Sequence, residues 1–196
     1  IEGAILSGDR ETGVTIMRVI EQMDAGAMLH RRVITIADDE TTGTLKRKLA
    51  EVGAEALLEA LEKFRSGEII GTPQDESLAT YTKIITKADA IIDWHQSAVQ
   101  IERMARAYDP WPVARTSFGG SDLMIYRARV IASEIDAEAG SIVSIGANPV
   151  VKCGDGALEL LEVQAPGRLH LEELERMRAG DWARGRHIAV GNKLGA

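Results

Sequence analysis

The stretch Asp109-Pro110-Trp111-Pro112 divides this chain more sharply than any other. Neither proline can donate a helix or ladder hydrogen bond, so regular structure must stop there. Before it, Gln96–Tyr108 has helical spacing, with Val99, Ile101, Met104, Ala105 and Tyr108 forming an apolar stripe. After it the texture changes to short strands and turns. The expected strands are Val113–Phe118, Leu123–Ile131, Ser141–Ile145, Val150–Cys153 and Leu158–Gln164. Gly119-Gly120 and Gly154-Asp155-Gly156 read as hairpin turns. Several short strands after one helix read as a small barrel of the oligonucleotide-binding type. A short helix is expected over Leu171–Ala179.

Upstream the pattern differs. Ile1–Leu6 reads as the last turns of a helix stopped by Ser7-Gly8, so the chain looks like a fragment that begins inside a domain. Gly13–Ile20 is expected as a buried strand and Met28–Ile36 as a second, with a loop between them. Thr41 to Phe64 is a long helix. Leu45, Leu49, Val52, Ala56, Leu57, Ala60, Leu61 and Phe64 recur at steps of three and four, Thr41 or Thr42 caps it and Gly67 ends it. Strands followed by a long helix suggest α/β architecture. Thr72–Thr82 has linker composition. The division read from this is residues 1–72, a linker over 73–88 and a second domain over 89–196.

Composition excludes several classes. Hydrophobic residues are 45% and charged residues 27% of 196, which supports a packed core. No apolar run reaches the ~20 residues of a membrane span. The single cysteine, Cys153, makes no internal disulfide, and a reducing cytoplasm fits best. The net charge is −7, from 23 basic and 30 acidic residues. Split at residue 88, the counts are 11 against 15 and 12 against 15, so any nucleic-acid contact needs a local basic face.

Few residues stand out for chemistry. Asp24 lies on a loop between two strands, suited to proton transfer or simply to a turn before glycine. His30, His95, His170 and His187 share no metal-ligand spacing, so no metal is expected. Arg103 and Arg106 lie three apart on a helix, and Arg127 and Arg129 two apart on a strand. With Arg115, Lys152 and Arg168 they could face RNA phosphates or form an ordinary solvated surface.

A family resemblance narrows this. Ser7-Gly8-Asp9-Arg10-Glu11-Thr12-Gly13-Val14-Thr15-Ile16-Met17 resembles the G-D-x-x-T-G-V-T-I-M segment of the methionyl-tRNA formyltransferase family. Met23-Asp24-Ala25-Gly26-Ala27-Met28-Leu29 is similar to its L-D-x-G-x-M-L stretch. Thr80 to Lys87 with Ile92-Asp93-Trp94 resembles its linker motif, and Ile101 to Pro112, ending in Arg106-Ala107-Tyr108-Asp109-Pro110-Trp111-Pro112, its I-R-A-x-x-P-W-P. Gly154-Asp155-Gly156-Ala157-Leu158 and Val163 to Arg168 resemble the two C-terminal motifs.

The resemblance implies a C-terminal remnant of a Rossmann-like formyltransferase domain followed by the small barrel. It implies transfer of a formyl group from 10-formyltetrahydrofolate, as co-substrate, to the amino group of methionyl-initiator tRNA. The family's catalytic set is an asparagine, a histidine and an aspartate, and the aspartate falls on Asp24. Glu21, Gln22 and Met23 become candidate neighbours of the folate, with Gln22 standing where the family often has glycine. Arg103, Arg106, Arg127 and Arg129 become candidate tRNA contacts. The asparagine and histidine lie upstream in the family. Here the only asparagines are Asn148 and Asn192, so the chain alone is expected to be inactive. A full-length protein is expected to be a cytoplasmic monomer. Two other readings compete: a different 10-formyltetrahydrofolate enzyme, for example one acting on a sugar amine, and a non-catalytic RNA-binding module.

Overall fold

Helix α1 (Glu2–Ser7) ends where Gly8 adopts a left-handed φ of 75°. There the N–H groups of Gly8 and Asp9 return to the carbonyls of Ile5 and Ala4. The computed structural model describes residues 1–68, 70–132, 135–165 and 175–195. Strands β1 (Glu11–Met17) and β2 (Met28–Thr35) pair antiparallel, with Glu11 opposite Thr35. One face of this hairpin packs on α2 (Thr42–Arg65). Thr41 caps α2: its hydroxyl accepts from the Thr44 N–H, and the Thr44 hydroxyl accepts from the Thr41 N–H.

Two expectations change here. The first strand is half-exposed rather than buried and stops at Met17, leaving Arg18–Ile20 in the loop. A sheet two strands wide gives each strand one covered face only. The same narrowness splits the apolar stripe of α2. Leu45, Leu49, Ala56 and Ala60 are buried, whereas Leu57, Leu61 and Phe64 are exposed.

Residues 73–87 run without regular structure except for a 3-10 turn at Glu76–Leu78. The far end of this run is pinned. Lys83 pairs with Asp89, and the N–H and hydroxyl of Thr86 both donate to Asp89 Oδ2 at 2.8 Å. The Lys83 ammonium and then the Thr86 donors hold the Asp89 carboxyl down at about 2. Its folded value lies below its ordinary one. The stabilisation is therefore complete above pH ~4 and lost as pH falls toward ~2. Amide exchange at Ile84–Ala90 should accelerate across that window and lose the dependence in Asp89→Asn. An unchanged profile in the variant would exclude the pin.

Helix α3 (Ala98–Ala107) starts at a Ser97–Gln100 capping box. It buries Ile101, Met104 and Ala105, while Val99 is exposed, against the expected stripe. Beyond the prolines come β3 (Ala114–Phe118), β4 (Ser121–Ile131), β5 (Ile142–Ile145), β6 (Pro149–Lys152), β7 (Ala157–Gln164) and β8 (Met177–Arg178). They form one antiparallel sheet in the order β3-β4-β7-β6-β5, with β8 also on β7. Gly119 and Gly120, at φ 56° and 74°, make the two-residue β3–β4 turn. Of the helix expected at Leu171–Ala179, residues 171–174 lie outside the described residues, as do Pro166–Arg168 of the C-terminal motif and His170. The described remainder is extended, and α4 (Ala179–Gly185) begins only at Ala179.

The end strands β3 and β5 share no ladder among the described residues. Residues 191–195 span the space between them. Gly195 N–H donates to Ser117 O, Leu194 N–H to Gly140 O, and Ile142 N–H to Asn192 O. The Trp94 indole lies beneath, 4% exposed, its Nε1–H donating to Thr116 Oγ1 at 3.0 Å. A Cβ on Gly140 or Gly195 would meet its ring at 3.4 or 3.2 Å. One continuous core joins both sheets, from Ile5, Ile36, Leu45 and Leu49 through α3 to Leu123, Ile125, Leu158 and Leu160.

Candidate functional site

The loop from Arg18 to Ala27 closes at a narrow neck. Arg18 N–H donates to Ala27 O at 3.0 Å. A Cβ on Gly26 would meet Arg18 O at 1.7 Å, so only glycine fits that crossing. Asp24 sits near the tip with φ 56°, a left-handed conformation that aspartate tolerates better than most residues. Its side chain is exposed and makes no hydrogen bond or ion pair among the described residues.

The Asp24 backbone, by contrast, is held. The Gln74 amide nitrogen donates to Asp24 O at 2.7 Å and to Gly26 O at 2.8 Å. Two residues earlier, Thr72 exchanges both backbone hydrogen bonds with Met28, at 2.8 and 2.9 Å. Gln22, Met23 and Asp24 line a cleft of about 630 Å³, whose opposite wall is Gln74 to Thr82, including Tyr81. Glu21 is exposed and outside that lining. Sequence reasoning missed Gln74, which reads as linker composition; no spacing marks a glutamine that reaches back some 50 residues.

The four candidate arginines come together. Arg103, Arg106, Arg127 and Arg129 all line one cleft of about 540 Å³, between Asp38–Thr41 and the α3–β4 surface. They are not equally available. Arg106 forks onto Glu102 at 2.6 and 2.9 Å and donates to Glu40 O at 3.1 Å. Arg103 donates to Ser7 O at 3.3 Å and packs where a Gly8 Cβ would stand, 2.1 Å from its Cζ. Arg129 pairs with Glu159 through Nε at 3.0 Å. Arg127 is exposed and makes no hydrogen bond or ion pair among the described residues.

The other polar candidates take local partners. His30 and Arg32 both pair with Glu59 on α2, and these two, His30 first, hold the Glu59 carboxyl below its usual range. His95 pairs with Asp93 at 3.0 Å. Burial pushes the Cys153 thiol up to about 12, so it stays protonated and unreactive. Among the described residues no three His, Cys, Asp or Glu side chains gather as a metal site, and no helix is long and apolar enough to cross a membrane.

The chain belongs to the formyltransferase family. Residues 1–61 match its formyl transferase domain and residues 84–187 its C-terminal domain. Relatives named methionyl-tRNA formyltransferase include those of Roseiflexus sp., 44% identical over 196 residues, and Methylococcus capsulatus, 45% identical over 195. Both alignments cover 100% of this chain, but only 58% and 61% of those relatives. The chain thus spans about three-fifths of the relatives it matches. Among solved structures, HypX from Aquifex aeolicus in complex with tetrahydrofolic acid superposes with a TM-score of 0.69 at 22% identity, covering 98% of this chain and 33% of that one. An N-formyltransferase from Helicobacter canadensis, in complex with folinic acid and dTDP-3-aminofucose, gives 0.64 at 15% identity, covering 80% and 58%. At these identities the likeness is one of fold.

Proposed function

We propose that the protein transfers the formyl group of 10-formyltetrahydrofolate to the amino group of methionyl-initiator tRNA. The observation that carries this is Asp24, with its backbone held and its carboxylate without a partner among the described residues, at the edge of a cleft. The cleft's volume is within the range of small-molecule sites. Gln22 and Met23 line it and would meet the folate; Glu21 would approach it only from outside that lining. The neutral amine attacks the formyl carbon, and an oxyanion develops on the formyl oxygen; collapse of this intermediate breaks the bond from the formyl carbon to N10, and N10 takes up a proton to balance the one the amine loses, so that tetrahydrofolate leaves. An asparagine and a histidine, from the part of the relatives that this chain does not span, would donate to the oxyanion. Asp24 would orient that histidine, favour its charged form and help relay the amine's proton. No metal is required by this scheme.

The C-terminal sheet, bridged by residues 191–195, would serve as an oligonucleotide-binding-type barrel. Its arginine cleft would meet tRNA phosphates. Each phosphate neutralised releases counterions, so the affinity falls steeply with salt. Because Arg127 alone of the four is uncommitted among the described residues, Arg127→Ala should weaken tRNA binding most and lower the log–log salt slope by about 1. Replacing Arg106 should instead loosen the fold around Glu102 and Glu40. Titration of labelled tRNA at several salt concentrations measures this. A slope that Arg127→Ala leaves unchanged would remove this cleft from the tRNA interface. Turnover of methionyl-tRNA against a nucleotide-linked amino sugar, in the full-length cytoplasmic enzyme, separates this reading from that of a sugar N-formyltransferase.

A further inference from the structure

We infer that Gln74 is a positioning residue for the reaction, acting through the Asp24 loop; this rests on the role proposed for Asp24. The contacts of the Gln74 amide nitrogen, Asp24 O and Gly26 O with Met17 Sδ at 3.8 Å, are all acceptors. Only the nitrogen end of the amide can face them, using both of its N–H bonds. Asp24 O belongs to the Asp24–Ala25 peptide unit and Gly26 O to the Gly26–Ala27 unit. The bond to Asp24 O restrains the peptide plane that leaves the Asp24 Cα, and with it the direction of the Asp24 Cα–Cβ bond; the bond to Gly26 O restrains the turn that follows.

Asp24 needs such a hold. Its φ of 56° is a sparsely populated conformation for any residue with a Cβ, and its carboxylate has no partner of its own among the described residues. The neck at Arg18, Gly26 and Ala27 and the Thr72–Met28 pair anchor the base of the loop. Gln74 is the side chain that reaches its tip. It stands at the start of the segment 73–88 that leads to the C-terminal sheet. The loop's geometry is therefore set by the same stretch that walls the opposite side of the cleft.

The test is steady-state and single-turnover kinetics of the full-length enzyme, with amide exchange at Ala25–Met28 as a readout independent of turnover. Gln74→Ala should lower kcat by about 10- to 100-fold, the cost of misplacing a catalytic group by about an ångström. The loss in kcat should exceed any rise in the folate KM, since Gln74 also walls that cleft, the KM for tRNA should stay within about twofold, and exchange at Ala25–Met28 should accelerate. Gln74→Asn, one methylene shorter, cannot reach both carbonyls and should fall with it. In Gln74→Glu an ionised carboxylate faces two carbonyl oxygens, so the loss should deepen at high pH and ease as the carboxyl protonates.

The double variant Asp24→Asn with Gln74→Ala decides how Gln74 acts. Acting through Asp24, it should be no slower than Asp24→Asn alone. Losses that multiply, or a normal kcat in Gln74→Ala, would overturn the inference while leaving Asp24 in place. A normal kcat in Asp24→Asn would instead overturn the role of Asp24 and the premise with it.

Discussion

Asp24→Asn in the full-length enzyme is expected to lower kcat by about 10²- to 10⁴-fold, the range for loss of a general acid–base group. Affinity for tRNA should change by less than about twofold, because the arginine cleft proposed to meet the tRNA lies on other elements. The amide keeps the shape of the carboxylate and leaves the left-handed backbone undisturbed, since asparagine also tolerates it. It lacks the charge that favours a protonated histidine and cannot take up a proton. Single-turnover formylation with a parallel filter-binding titration separates the two quantities. Near-normal turnover would refute the assignment. Equal losses of turnover and binding would point to a collapsed loop instead.

The largest effect on stability is expected at Trp94. Truncating a buried tryptophan to alanine costs about 3–5 kcal/mol. Here the ring supports Gly140 and Gly195, and its N–H satisfies Thr116. Trp94→Phe should cost less, losing the hydrogen bond, worth about 1 kcal/mol, and part of the ring. Urea denaturation measures both. Amide exchange at 191–195 should accelerate in Trp94→Ala well before global unfolding. A loss below about 1 kcal/mol would mean that the C-terminal segment is held by its backbone bonds alone.

Local signals made most elements legible. Capping residues at Thr41 and Ser97, left-handed glycines at Gly8, Gly119 and Gly120, and the double proline bound elements that the structure places within one to three residues of expectation. The errors arose where tertiary pairing decides. Periodicity marks Leu57, Leu61 and Phe64 as core, yet burial requires a surface to meet, and a two-strand hairpin covers only the Leu45–Ala60 stripe. Gly13–Ile20 reads as a strand through to its last β-branched residue, but the crossing of Gly26 against Arg18 turns the chain outward at Met17. At the site, the motif around Asp24 was visible because its residues are contiguous. Gln74 was not, because its partners are backbone carbonyls and carbonyls have no sequence. The grouping of four arginines was visible only in pairs. It takes the approach of Asp38–Thr41 to α3 to bring the helix pair and the strand pair to one groove.

That approach is stitched by the backbone as much as by side chains. Thr42 Oγ1 donates to Ala107 O at 2.7 Å and Gly43 N–H to Asp109 O at 3.0 Å, beside the Arg103 and Arg106 bonds across the same seam. The regions matching two separate domain families are therefore not interchangeable parts. A chimera that joined this C-terminal half to a relative's catalytic half would keep the seam only with a hydroxyl at position 42 and with the carbonyls of residues 7 and 40 within reach of Arg103 and Arg106. The side-chain donors of that seam are Thr42 in one half and Arg103 and Arg106 in the other, so a substitution at any of the three is expected to be felt in both halves.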